Sequence, residues 1–159
     1  SPLSAMAPQV SLTLQDGDGD LTMRDDLAPI QVERIITLAG QIFYDGVVFH
    51  RVIDGFMAQS GDPTGTGSGG SELPDLKAEF TPTRFKRGVL GMARAQDPDS
   101  ANSQLFIMLA DGEFLNGKYT VLGEVTSGME FVDKIKKGDR NANGLVNNPD
   151  KIISMRVEQ

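Results

Sequence analysis

Most apolar residues of this chain recur at every second position, in short runs that end on Gly, Asp, Asn or Pro. "VSLTLQ" sets Val10, Leu12 and Leu14 against Ser11, Thr13 and Gln15, the alternation of a strand with one buried face. "DGDGD" then turns the chain and "LTMR" resumes, an opening hairpin. "VVFHRVI" and "FMAQSG" follow as strands split by the Asp54-Gly55 turn signal. "GVLGMAR", "QLFIMLA", "TVLGEV" and "KIISMRV" repeat the pattern down the chain. Helical spacing occurs twice. "APIQVERIITLAGQIF" carries Pro29 where a first turn tolerates proline, and Ile30, Ile35, Leu38 and Ile42 mark a face about three turns long. "SGMEFVDKIKKG" is the second, with Lys136 and Lys137 in its last turn and Gly138 as its stop. Eight short strands without a βαβ rhythm, with one early and one late helix, predict a mainly β fold: an antiparallel barrel rather than a doubly wound sheet.

At 159 residues the chain is long enough for one sizeable core. Residues 1–9 read as a flexible N-terminal tail and residues 10–159 as a single domain. A net charge of -7 argues against binding nucleic acid or an anionic membrane, and the longest apolar runs are too short to span a bilayer. The absence of cysteine excludes thiol catalysis, disulfides and thiolate metal sites. An acidic chain without a leader is expected in the cytoplasm, with the periplasm left open, and as a monomer.

Several motifs suggest chemistry and fail on context. "GTGSGG" contains G-x-G-x-x-G at Gly65, Gly67 and Gly70, but "SELPDL" follows where a dinucleotide site needs a helix. It reads as a surface loop. His50 is the only imidazole, and no G-x-S-x-G elbow presents a serine to it, so a hydrolase is disfavoured. Strand alternation places His50 opposite Phe49 and Arg51. "DRNANGLVNNPD" puts Asp139, Asn141, Asn143 and Asp150 at ligand positions of a calcium loop. Asp in place of the final Glu, and a strand in place of the exiting helix, favour a plain loop, so no metal is expected. Arg51 among apolar neighbours reads, taken alone, as an arginine snorkelling over a barrel.

Taken in order, these residues resemble the cyclophilin family of peptidyl-prolyl isomerases, in its bacterial form. "YDGVVFHRVIDGFMAQSGDPTGTGSGG" is similar to that family's signature block, and "LKAEF", "RGVLGMARA", "SANSQLFIMLAD", "FLNGKYTVLGEV" and "GMEFVDKI" continue the match. The resemblance implies a closed eight-stranded antiparallel β-barrel capped by two α-helices. It implies peptidyl-prolyl cis-trans isomerase activity on X-Pro bonds, assisting protein folding, without a cofactor. Arg51, Phe56 and Gln59 match the family's catalytic positions. Met57, Ala93, Arg94, Gln104, Phe106, Phe114, Leu115 and Tyr119 match its substrate contacts. Phe114 stands where many members have tryptophan, Tyr119 where they have histidine, and Arg94 where asparagine is common. The implied partners are proline-containing peptides and unfolded or folded protein clients. Cyclosporin binding is expected to be weak, because that tryptophan contributes a hydrogen bond to it.

The chemistry suits the residues. An X-Pro bond has cis and trans forms within about 0.5–1 kcal/mol, separated by a resonance barrier of roughly 18–20 kcal/mol. No bond is made or broken, so neither nucleophile nor metal is required. A site that prefers the twisted amide lowers the barrier, and a guanidinium can donate to the proline nitrogen once its lone pair is localised. The alternative reading is a proline-peptide binding or chaperone module with little catalysis.

Overall fold

A computed structural model describes residues 7–158. The expected tail falls partly outside this range, at residues 1–6. Of its remainder, Ala7 is buried, Pro8 accepts a backbone hydrogen bond from Met23, and Gln9 already belongs to the first strand. The strands are β1 Gln9–Leu14, β2 Gly17–Met23, β3 Arg51–Ile53, β4 Met57–Ser60, β5 Val89–Met92, β6 Leu105–Met108, β7 Val121–Ser127 and β8 Ser154–Val157. Helix α1 spans Pro29–Gly40 and α2 Met129–Val132, with 3-10 turns at Glu113–Leu115 and Arg140–Ala142. All strand pairs are antiparallel, in the order β3-β4-β6-β5-β7-β2-β1-β8.

The sheet curls into a half-barrel that is open, so the expected closed barrel is corrected. Its ends are β3 and β8, and no ladder joins them. The segments just before them meet instead, through Phe49 N–H to Asp150 O and Ile152 N–H to Val47 O, both 2.8 Å, around a lone Val48–Lys151 bridge. The cause lies at the free edge of β3. Val52 N–H donates to Gly144 O and Val52 O accepts from Gly138 N–H, so a loop covers the edge that a closing strand would need. Gly144 makes this close approach, at φ 81°: a Cβ there would sit 2.5 Å from Ile53 Cγ1.

Alternation sorts the sheet into two faces. Val52, Ala58, Leu90, Leu105, Ile107 and Leu122 point inward with Val10, Leu12 and Leu21 to form the main core. Helix α1 closes this core with Val32, Ile35, Leu38 and Ala39, while Ile30 and Ile42 are more than half exposed. The expected face holds at Ile35 and Leu38 and fails at its two ends. Ile30 sits in the first turn, and Ile42 lies beyond the helix at φ 61°. Glu79, from a distant loop, accepts from the Ile30 and Gln31 N–H groups and satisfies that helix end. Helix α2 stops at Val132, well short of Lys136 and Lys137, because the chain tightens into i→i+3 bonds at Lys134 and Ile135. No helix among the described residues is long and apolar enough to cross a membrane.

Candidate active site

The outer face of the same strands carries a second, smaller cluster. Register places Arg51 opposite Gln59, Gln59 opposite Phe106, and Phe106 opposite Gly91. One row across four strands thus presents a guanidinium, an amide, an aromatic ring and a gap. The next row, Ile53–Met57–Met108, forms its apolar support. Strand β3 is shorter than expected. Phe49 leaves the strand pattern and packs into the inner core, so it does not share a face with Arg51.

The gap at Gly91 is filled by aromatic rings. Phe106 stacks on Phe85 at 5.8 Å and meets Tyr119 edge-on at 5.9 Å and 86°. Phe106 and Tyr119, with Phe56, Met57 and Leu115, surround a cavity of about 130 Å³, closed on its other side by Arg51, Gln59, Ala93 and Arg94, while Phe85 backs Phe106 from outside it. A larger cavity of about 470 Å³ shares Gln59, Ala93 and Arg94 and continues past Gln104 to the Gly67–Ser71 backbone. The smaller one has the apolar walls a proline ring requires; the larger is lined mainly by polar groups.

Arg51 is held from two sides. Its Nη1 donates to Gln59 Oε1 at 3.2 Å, its Nε to Asn143 O at 3.0 Å, and its Nη2 to Asn143 Oδ1 at 3.1 Å. A guanidinium has five N–H bonds, so among the described residues one on Nη1 and one on Nη2 stay uncommitted. Burial lowers its pKa from the ordinary value, opposed by Tyr119, yet an arginine stays charged at any working pH. Gln59 Nε2 donates in turn to Gln104 Oε1 at 2.9 Å.

Nine of the expected site residues line the small cavity: Arg51, Phe56, Met57, Gln59, Ala93, Arg94, Phe106, Leu115 and Tyr119. Gln104 lines the larger one. Phe114 lines neither; it is 62% exposed and packs beside Phe56 at 5.3 Å as a ledge. The Arg94 side chain is engaged within the protein. Its guanidinium lies 4.4 Å over the Tyr119 ring and donates to Lys118 O at 2.7 Å, fixing the wall that Tyr119 forms.

Two contributors were missed in the sequence. Asn143, read there as part of a plain loop with a weak likeness to a calcium loop, grips Arg51; only the Asn-Gly pair, which marks a left-handed turn, hinted at a special backbone. Of the other candidate ligands, the two aspartates each accept a backbone hydrogen bond: Asp139 Oδ1 from Asn141 N–H and Asp150 Oδ2 from Lys136 N–H. No group of three or more His, Cys, Asp or Glu among the described residues could hold a metal ion. The second miss is Gly91, where a glycine inside the strand "VLGM" is the usual sign of close approach. His50 is 6% exposed, and burial pushes its pKa down, with Asp62 opposing and Arg51 assisting.

Comparison with known proteins identifies the family of the chain. Residues 9–157 match the family described as "Cyclophilin type peptidyl-prolyl cis-trans isomerase/CLD". A "Probable peptidyl-prolyl cis-trans isomerase" of Brucella suis biovar 1 is 54% identical over 98% of this chain and 86% of its own length. A crystal structure of a Cryptosporidium parvum cyclophilin type peptidyl-prolyl cis-trans isomerase superposes with TM-score 0.87 at 26% identity, over 96% of this chain and 98% of that one. The same parasite protein solved in the presence of the dipeptide Ala-Pro gives TM-score 0.86 at 26% identity, over 95% of this chain and 99% of that one. With this match spanning all eight strands and every element of the outer-face site, the chain belongs to the cyclophilin-type peptidyl-prolyl cis-trans isomerases.

Proposed function

We propose that this isomerase twists X-Pro bonds in the small outer-face cavity, with Arg51 as the group that stabilises the twisted amide. The observation that carries the reading is the donor pattern of Arg51: three N–H bonds fasten it to Gln59 and Asn143, and two are left on a side chain that lines the small cavity. A proline ring seated between Phe106, Met57, Leu115 and Tyr119 would bring its nitrogen to those donors. As the amide twists, conjugation is lost and the nitrogen lone pair becomes an acceptor, so the bond strengthens in the transition state. Gln59 and the Ala93–Arg94 backbone would hold the residue before proline while the other end rotates. The Phe114 ledge would support the chain as it leaves the site.

The substrates are proline-containing segments of peptides and protein clients, and the enzyme acts as one 10–159 domain, a monomer of the cytoplasm. Weak cyclosporin binding is part of the same proposal, since a Phe114 ring has no N–H to donate. The test is cis/trans exchange in an Ala-Pro peptide followed by NMR with the wild type and Arg51→Ala. Removing a preorganised donor should cost roughly 10²–10³ in maximal rate. Acceleration that persists in the variant would refute the role given to Arg51.

A further inference from the structure

Asp62 opens the glycine-rich loop and is 0% exposed. Its carboxylate accepts from Thr64 N–H and Oγ1, both at 2.8 Å, from Thr66 N–H at 3.1 Å, Gly67 N–H at 2.7 Å and Gly69 N–H at 3.0 Å. The cage leaves no slack, for a Cβ on Gly69 would lie 2.3 Å from Asp62 Oδ1. Burial alone would raise this carboxyl, but the donors from Gly69, Thr64 and Gly67 hold it well below the usual range. Such a cage could serve only to stiffen a loop. The same glycines, however, reach the site from their other side.

Gly67 O and Gly69 O both accept from Gln104 Nε2, each at 2.9 Å. A carbonyl can only accept, so the Gln104 amide must present its nitrogen to the loop and its oxygen to Gln59. Gln59 then donates with Nε2 and offers Oε1 to Arg51, which can only donate. Both ends of the chain therefore demand one sense, and a reversed Gln59 would set N–H against N–H at Arg51.

We propose that Asp62 is a positioning residue for isomerisation: by holding the Gly67 and Gly69 backbone in place it anchors a hydrogen-bond chain, Gln104 to Gln59 to Arg51, that aims the guanidinium. The proposal rests on the role given to Arg51 above. In Asp62→Asn the amide nitrogen would face N–H donors, the loop would relax, and Gln104 would lose its two acceptors.

The experiment is a double-mutant cycle on the full chain, measuring peptide affinity and the exchange rate at saturating Ala-Pro peptide by NMR. Asp62→Asn should lower the saturated rate roughly tenfold, less than the ~10²-fold that a 1 Å misplacement can cost, with affinity changed less than about twofold. In a Gln59→Leu background, where the chain is already cut, Asp62→Asn should cost nothing further. The Arg51 Nε–H resonance should shift in Asp62→Asn. A rate loss equal in both backgrounds, a loss carried by affinity, or an unmoved Arg51 resonance would overturn the proposal. If Asp62→Asn does not fold by circular dichroism, Thr64→Val removes one donor from the carboxylate and must show the same pattern at smaller amplitude, or the proposal falls. Arg51→Ala is read beside the wild type in the same series, so a failure of Arg51 chemistry is seen separately from a failure of the relay.

Discussion

Gly91→Ala tests whether the proline pocket depends on a missing side chain. An added Cβ would stand 2.2 Å from Phe106 Cζ and 2.7 Å from both Phe106 Cε2 and Phe85 Cε2. That is roughly 1.5 Å inside the ~3.5–4.0 Å contact of two carbon atoms. Neither ring can swing away freely, because Phe85 is 1% and Phe106 5% exposed and the two are stacked. Gly91 is not among the residues with positive φ, so the clash is purely steric. Overpacking of this kind costs about 1–3 kcal/mol. At about 2–4 °C per kcal/mol for a chain of this size, Tm should fall by roughly 2–12 °C. Because Phe106 also floors the cavity, the saturated exchange rate should fall about tenfold or more, approaching the ~10²-fold cost of a 1 Å misplacement. Thermal unfolding and NMR exchange read the two effects. Gly40→Ala is the control, since nothing lies within 4 Å of a Cβ there. In a Gly91→Ala, Phe106→Ala double variant the stability losses should add to less than their sum. Unchanged Tm and rate in Gly91→Ala would refute the reasoning.

Two further outcomes follow from other contacts. Asn143→Gly keeps the left-handed backbone at φ 56° and the carbonyl bond to Arg51 Nε but deletes Oδ1; the exchange rate should drop roughly tenfold, the low end of what one hydrogen bond to a charged group is worth, because this bond is exposed. A variant with wild-type rate would show that the loop does not help hold Arg51. On pH, the folded His50 pKa lies below its unfolded value of about 6.5, so the folded state binds fewer protons. Its contribution to stability is complete above about pH 6.5 and is lost as pH falls toward the folded pKa. Denaturant unfolding should therefore show lower stability at acid pH, a decline that His50→Gln should reduce, while the exchange rate stays flat because Arg51 keeps its charge. Stability rising as pH falls through this range would contradict the sign.

Strand positions were readable because the side-chain period of two is written locally: Val10, Leu12 and Leu14 needed no partner to reveal their face. Several local readings failed where a contact distant in sequence overrode the pattern. Phe49 alternates with His50 on paper, yet the chain becomes a regular strand only at Arg51, where β4 and the 138–145 loop hold both edges. The helix face around Ile35 was legible, whereas Ile30 and Ile42 fell outside it because the helix ends depend on Glu79 and a left-handed residue.

The sequence by itself determined the strand-rich class, the antiparallel pairing of short strands and, through its motifs, the family and the cluster of residues around Arg51. Only the tertiary structure decided that the sheet stays open, because the loop that covers β3 takes the hydrogen bonds a closing strand would use. It also decided that Asn143 holds Arg51, that Gly91 makes room for Phe106, and that Asp62 faces the loop behind the glutamines. Each of these is set by a contact between segments far apart in the chain, and no local periodicity encodes which two segments meet.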